Sequence, residues 1–119
     1  MDKKEVECFL SEMKGSESSY PFGSEALVYK VMGKMYALVS QLEEVPRVTL
    51  KVNPPDGEVL IDQYESIAPG YYMNKKHWIT ISLNGEVPKE VIQDLSEKSY
   101  QLVVGKLTKK DKEKLKEVI

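Results

Sequence analysis

The residues best suited to chemistry are concentrated in one segment of the chain, residues 69–78. This segment contains the only tryptophan, Trp78, and the only histidine, His77, together with two tyrosines and the adjacent Lys75 and Lys76. Aromatic rings beside ammonium groups suit a phosphate-bearing polymer, because bases stack on the rings while phosphates pair with the cations. The segment therefore predicts a surface that binds nucleic acid or another anion.

Basic and acidic residues are separated along the sequence. The net charge is −2, yet the stretches 26–42, 45–55 and 66–85 contain no Asp or Glu and hold six basic residues, so the remainder carries −8. We predict β-structure in all three stretches, which would give a basic sheet and acidic helices around it. The alternative is that strands simply avoid Asp and Glu because of their poor β-propensity. The six basic residues are Lys30, Lys34, Arg47, Lys51, Lys75 and Lys76.

The alternation of side chains along two predicted strands brings some of these residues to one sheet face. Arg47 and Lys51 share the polar face of the strand predicted at 46–53, and Trp78 has the same parity in the strand predicted at 77–83. Trp78 is interpreted either as part of a binding surface or as an anchor beneath a helix or loop. His77 shares the parity of buried-type residues, which favours a partly buried hydrogen-bonding role over a catalytic one. The polar face is expected to show Arg47, Thr49, Lys51, Trp78, Thr80 and Ser82.

Features of an enzyme or of a metal site are scarce. Cys8 lies among apolar residues of a predicted helix and is expected to be buried and inert, and a lone cysteine excludes an internal disulfide. The sequence contains no phosphate-binding glycine motif and no nucleophile elbow. We therefore expect a non-enzymatic protein without metal or cofactor.

No apolar run approaches the roughly 20 residues of a membrane span, and the N-terminus does not resemble a secretion signal, so we expect a cytoplasmic protein that does not contact membranes.

The hydrophobic pattern predicts one domain over residues 1–119, with antiparallel strands followed by helices. This order is typical of an α+β domain in which helices pack on one face of an antiparallel sheet. Residues 15–23 are predicted to form a loop, 54–57 a turn, and Gly33-Lys34 a two-residue type II′ hairpin connection. Helices are predicted at 2–14, 58–66, 88–104 and 108–118, and strands at 26–32, 35–41, 46–53 and 77–83.

Several sequence blocks carry a family resemblance over nearly the whole chain. The most specific is Pro69-Gly70-Tyr71-Tyr72-Met73-Asn74-Lys75-Lys76-His77-Trp78, and others are Tyr20-Pro21-Phe22-Gly23, residues 28–38, Val48-Thr49-Leu50-Lys51 and residues 99–104. With these blocks the sequence resembles the MmcQ/YjbR family of small bacterial proteins. The resemblance implies a frataxin-like, double-wing α+β fold and a predicted DNA-binding role. The lysine-bearing motifs of the family coincide with Lys30, Lys34, Lys51, Lys75 and Lys76.

Together these observations predict a small non-enzymatic protein that binds DNA through a basic and aromatic sheet face. The basic side chains would contact phosphates, Asn74 would donate or accept a hydrogen bond, and Tyr72 or Trp78 would stack on a base. The alternative is a protein-interaction or small-anion-binding module that uses the same surface without binding nucleic acid. The candidate binding residues are Lys30, Lys34, Arg47, Lys51, Tyr72, Asn74, Lys75, Lys76, His77 and Trp78.

Overall fold

The computed structural model consists of an antiparallel sheet with helices packed against it. It describes residues 1–21, 23, 25–42, 44–70 and 74–118. The helices are α1 (Lys3–Ser11), α2 (Pro54–Gln63), α3 (Lys89–Gly105) and α4 (Lys109–Glu117). The strands are β1 (Ser16–Ser19), β2 (Ala26–Val31), β3 (Lys34–Leu42), β4 (Val45–Lys51), β5 (Ile67–Pro69) and β6 (Trp78–Ser82). Among these helices, none has the length and apolar character needed to cross a lipid bilayer.

Within the described residues, the six strands are arranged in the order β1-β2-β3-β4-β6-β5, and each neighbouring pair is antiparallel. Ala37, Leu50 and Ile79 lie opposite one another on three adjacent strands. Because directly opposed residues point to the same side of a sheet, these side chains line one apolar face. The helices cover this face with apolar stripes, which include the buried residues Val6, Leu10, Ile92, Leu95, Val103 and Leu115.

A local irregularity in β3 turns one tyrosine toward the helices. The register of β2 and β3 shifts after Tyr29, so that β3 carries Tyr36 as an additional residue. The Tyr36 hydroxyl donates a hydrogen bond to the carbonyl oxygen of Leu10 in α1 at 2.7 Å, and its ring meets Tyr100 of α3 edge-on at 5.3 Å. Tyr36 is fully buried and joins α1 and α3 to the sheet.

Beside this irregularity, a serine from α3 bridges two strands. The register of β3 and β4 brings Tyr36 next to Lys51, one step beyond the pair Ala37 and Leu50. The Ser99 hydroxyl accepts from the Lys51 backbone N–H at 2.8 Å and donates to the Tyr36 carbonyl at 2.5 Å. Ser99 thus completes, from a helix, a hydrogen-bonding step that two strands would ordinarily make directly.

A polar contact joins the segment between α2 and β5 to the segment between β6 and α3. Glu86 accepts hydrogen bonds from the Ser66 backbone N–H at 3.1 Å and from the Ser66 hydroxyl at 2.5 Å. These hydrogen bonds hold the pKa of the Glu86 carboxyl below its ordinary value. We call this contact the Ser66–Glu86 clasp. A Cβ at Gly85 would lie 1.6 Å from the Ser66 hydroxyl oxygen, so the clasp requires glycine there.

The α+β class and the four long strands predicted from the sequence agree with the structure, whereas several local predictions were wrong. The predicted loop at 15–23 contains β1, and β5 was not predicted. The hairpin connection is Met32-Gly33, not Gly33-Lys34, and both residues have positive φ, 50° and 79°, as a type I′ turn requires. The predicted turn at 54–57 is the start of α2, because prolines suit the first positions of a helix.

Candidate functional site

The strand register gathers lysines that are distant in sequence at one end of the sheet. Lys34 begins β3, Lys51 ends β4, and Lys75 and Lys76 come just before β6. Since neighbouring strands are antiparallel, these positions lie at the same end, and Lys30 is one residue from that end of β2. The three strand spacings from β2 to β6 span about 14 Å. We call the set Lys30, Lys34, Lys51, Lys75 and Lys76 the lysine end of the sheet.

Lys51 and Trp78 are in contact on two neighbouring strands of the lysine end. They are directly opposed on β4 and β6, and the Lys51 ammonium lies 5.9 Å from the centroid of the Trp78 ring. This distance is within the range of a cation–π interaction. Both side chains are half-buried. Burial, followed by the nearby positive charge of Lys106, lowers the pKa of Lys51 from its ordinary value.

The turn that leads into β6 presents two exposed lysines. The Asn74 side-chain oxygen accepts from the Lys76 backbone N–H at 3.0 Å, and the Asn74 carbonyl accepts from the His77 N–H at 3.1 Å. These two bonds fix the turn and leave Lys75 and Lys76 exposed. Asn74 was predicted to bind a ligand, and one of its side-chain atoms is instead engaged in the turn.

His77 and Trp78 continue this turn into the sheet. His77 is half-buried, in agreement with its parity, and its backbone carbonyl accepts from the Val52 N–H at 2.8 Å. Trp78 packs closely against Gly70, where an added Cβ would lie 2.7 Å from the Trp78 Cβ. Trp78 is therefore both a packing residue and a partly exposed ring.

One predicted binding residue lies away from the lysine end, and another cannot be placed because it is outside the described residues. Arg47 lies opposite Ser82 at the other end of β4, four residues and about 13 Å from Lys51. Tyr72 lies outside the described residues. The lysine end therefore contains five of the six basic residues that the charge pattern singled out.

The sheet face opposite the helices is less open than the sequence predicts. Thr49 and Thr80, which were expected to be exposed there, are only 4% and 3% exposed and are hydrogen-bonded to each other at 2.9 Å. Val28 on the same face is also buried, while Arg47 and Ser82 are half-buried. Short hydroxyl side chains between longer neighbours lose their exposure, which strand parity alone does not reveal.

The ammonium groups of the lysine end have no carboxylate partner among the described residues. The salt bridges in that part of the chain join Lys89 to Glu5 at 3.4 Å and Lys98 to Asp94 at 3.0 Å, and both lie on the helices. Lys106, which was not predicted as a binding residue, adds a further positive charge near Lys51. Its position follows from where α3 ends, and the sequence pattern alone does not place that end beside β4.

The predicted burial of Cys8 was wrong. Cys8 is exposed on α1, and its thiol lies 3.5 Å from a Glu12 carboxylate oxygen. This hydrogen bond and the negative charge of Glu12 raise the pKa of the thiol, which disfavours the reactive thiolate. Within the described residues, no group of three His, Cys, Asp or Glu side chains is arranged to hold a metal ion.

Comparisons with known proteins agree with this fold and this sequence pattern. The family model YjbR matches residues 11–102. The uncharacterized protein YbdF of Escherichia coli O157:H7 is 39% identical over 105 residues, which cover 88% of this chain and 86% of YbdF. The uncharacterized protein YjbR of Escherichia coli K12 is 36% identical over 101 residues, 85% of each chain.

Solved structures are similar over most of the chain as well. The crystal structure of Deinococcus radiodurans protein DR2400, with the family-model domain DUF419, superposes with a TM-score of 0.86 at 41% identity, covering 94% of this chain and 86% of that one. A crystal structure from Pseudomonas syringae gives a TM-score of 0.78 at 28% identity, covering 86% of this chain and 98% of that one. With the family model spanning most of its length and two curated relatives above a third identical, the chain belongs to the YjbR family of small α+β domains.

Proposed function

We propose that the protein is a non-enzymatic binding protein whose lysine end binds the phosphate backbone of DNA. The observation that carries the proposal is that five lysines, without a carboxylate partner among the described residues, lie at one end of the sheet, where Lys51 is next to a partly exposed tryptophan. A local positive field of this kind attracts a polyanion even though the net charge of the whole chain is −2.

The physical basis is the release of counterions from the DNA. If each of five lysines neutralises one phosphate, the logarithm of the binding constant falls with the logarithm of salt concentration at a slope of about −4.5 for duplex DNA and about −3.5 for a single strand. The partly exposed Trp78 ring can add stacking with an unpaired base, worth on the order of 1–3 kcal/mol. Single-stranded DNA is therefore expected to bind at least as well as duplex DNA.

The test is a fluorescence-anisotropy titration of labelled single-stranded and duplex DNA at low salt. The double variant Lys75→Ala/Lys76→Ala removes two exposed lysines from the turn and should weaken binding and make the salt slope shallower by about 2. The matched control is Lys89→Ala/Lys98→Ala, which changes the net charge equally on the helix side. This control should bind DNA like the parent protein.

Two results would reject the proposal. One is the absence of binding to either DNA at low salt, and the other is an equal loss of affinity in the test and control variants. If pyrophosphate shifts the amide resonances of Lys75 and Lys76 while DNA does not bind, the lysine end serves a small anionic ligand instead.

A further inference from the structure

A groove lies between α2 and α3 on the helix-covered face of the sheet. α2 starts where β4 ends and runs away from the lysine end, whereas α3 starts beyond β6 and returns toward Lys51, which its Ser99 contacts. The two helices are thus antiparallel, and the groove between them has a volume of about 640 Å³. This volume is typical of sites for small organic ligands, which occupy about 300–1,000 Å³.

The walls of the groove are two facing helical stripes. Positions 56, 59, 60, 63 and 64 of the α2 side and positions 91, 94, 95, 98 and 101 of α3 recur at helical spacing, so each set faces inward. Leu60, Tyr64 and Val91 are only partly buried on these walls, and Val59 is 62% exposed. Leaving this much apolar surface uncovered costs stability, and an apolar ligand body would remove it from water.

The polar groups of the groove restrict the charge of its ligand. Two lysines, Lys51 and Lys98, and two aspartates, Asp56 and Asp94, contribute to the lining, and Lys98 is already paired with Asp94 at 3.0 Å. With Lys98 and Asp94 paired, Lys51 and Asp56 remain as one charge of each sign, so the lining favours a ligand without net charge. The amides of Gln63 and Gln101, one from each wall, offer both donors and acceptors.

We propose that the α2–α3 groove binds a neutral small molecule that combines an apolar, ring-sized body with an amide-like hydrogen-bonding group. Val59, Leu60, Tyr64 and Val91 would contact the apolar body, and the Gln63 or Gln101 amide would pair with the polar group. Lys51 contributes to both the groove and the lysine end, whereas the apolar residues and the two glutamines of the groove do not belong to the lysine end, so the ligand proposed here does not rest on the DNA-binding proposal.

The test uses three probes that share one phenylbutyl body and differ only in their head group. Phenylbutanamide is neutral, phenylbutyrate is an anion and phenylbutylamine is a cation. In a titration followed by amide NMR spectra, phenylbutanamide should shift resonances of residues 56–64 and 91–102 and leave those of α1 and α4 in place. It should bind about tenfold more tightly than either charged probe, since a charged head leaves a like charge of the lining facing it.

Substitutions with matched controls locate the site. Val59→Asp places a charge at an exposed position of the groove and should abolish phenylbutanamide binding, whereas Val118→Asp, at another exposed valine outside the groove, should not. Gln101→Ala should weaken binding about three- to tenfold, and Gln93→Ala in the same helix should leave it unchanged. Equal binding of the three probes, or shifts outside the groove, would overturn the proposal.

Discussion

The substitution Ser99→Ala should destabilise the protein by removing a bridge between two strands. The Ser99 hydroxyl is fully buried and satisfies both the Lys51 N–H at 2.8 Å and the Tyr36 carbonyl at 2.5 Å. Alanine leaves both backbone groups without this partner, and each unsatisfied buried group costs about 1–3 kcal/mol. We expect the free energy of unfolding to fall by roughly 2–6 kcal/mol, the sum over the two groups.

The control is Ser96→Ala, which removes an equally buried hydroxyl from the same helix. The Ser96 hydroxyl donates to the Ile92 carbonyl at 2.7 Å, within the turn of its own helix. That carbonyl can also accept the ordinary helical hydrogen bond, and alanine is the better helix former, so the change should stay within about 0.5 kcal/mol. Urea unfolding followed by circular dichroism measures both variants. If Ser99→Ala costs no more than Ser96→Ala, the strand-bridging role is refuted.

Three further predictions concern the Ser66–Glu86 clasp and the lone cysteine. Gly85→Ala should lower stability by about 1–3 kcal/mol in thermal unfolding because the new Cβ would clash at 1.6 Å, whereas Gly105→Ala, with open space around it, should be neutral or slightly stabilising. The folded-state pKa of Glu86 lies below the ordinary 4.5, so its contribution to stability is present above pH 4.5 and is lost as the pH falls through the lowered value. Glu86→Gln should therefore reduce the loss of stability that the protein shows at acidic pH. An unchanged loss of stability at acidic pH would contradict this role. Because its thiol pKa is raised, Cys8 should react slowly with a disulfide reagent at neutral pH despite its exposure, and Glu12→Gln should accelerate the reaction several-fold.

The sequence predicts well those helices and strands whose apolar residues recur regularly along the whole element. β4 and β6 alternate over their full length, and α3 carries a continuous apolar stripe, so their types follow from side-chain periodicity. Strand β1 consists of Ser-Glu-Ser-Ser, so it contains no apolar residues whose alternation could be detected. It is an exposed edge strand that is held by backbone pairing with β2. β5 has three residues and ends in proline, too short for a period to be detected.

The candidate site was predictable in composition but not in geometry. The sequence identifies six basic residues in acid-free stretches, yet the strand register decides which of them are neighbours. Lys34 and Lys51 are seventeen positions apart and share one end because β3 and β4 are antiparallel, while Arg47 is excluded although it belongs to the same strand as Lys51. Register depends on turn lengths and bulges, such as the additional Tyr36 in β3, and a sequence pattern does not fix these.

The groove follows from the order of the strands. β6 lies between β4 and β5, so the connection from β4 to β5, which contains α2, must pass over β6 to the edge of the sheet. α3 follows β6 in the chain and packs over β3 and β4. α2 begins close to the sheet, where Gly57 lets it approach Val52 and Ile79, since a Cβ there would lie 2.9 Å from a Val52 methyl group. The space between the helices is thus a consequence of two connections that diverge over the same sheet. A variant in which a bulky apolar residue fills this space, such as Val59→Phe, should become more stable while losing affinity for phenylbutanamide.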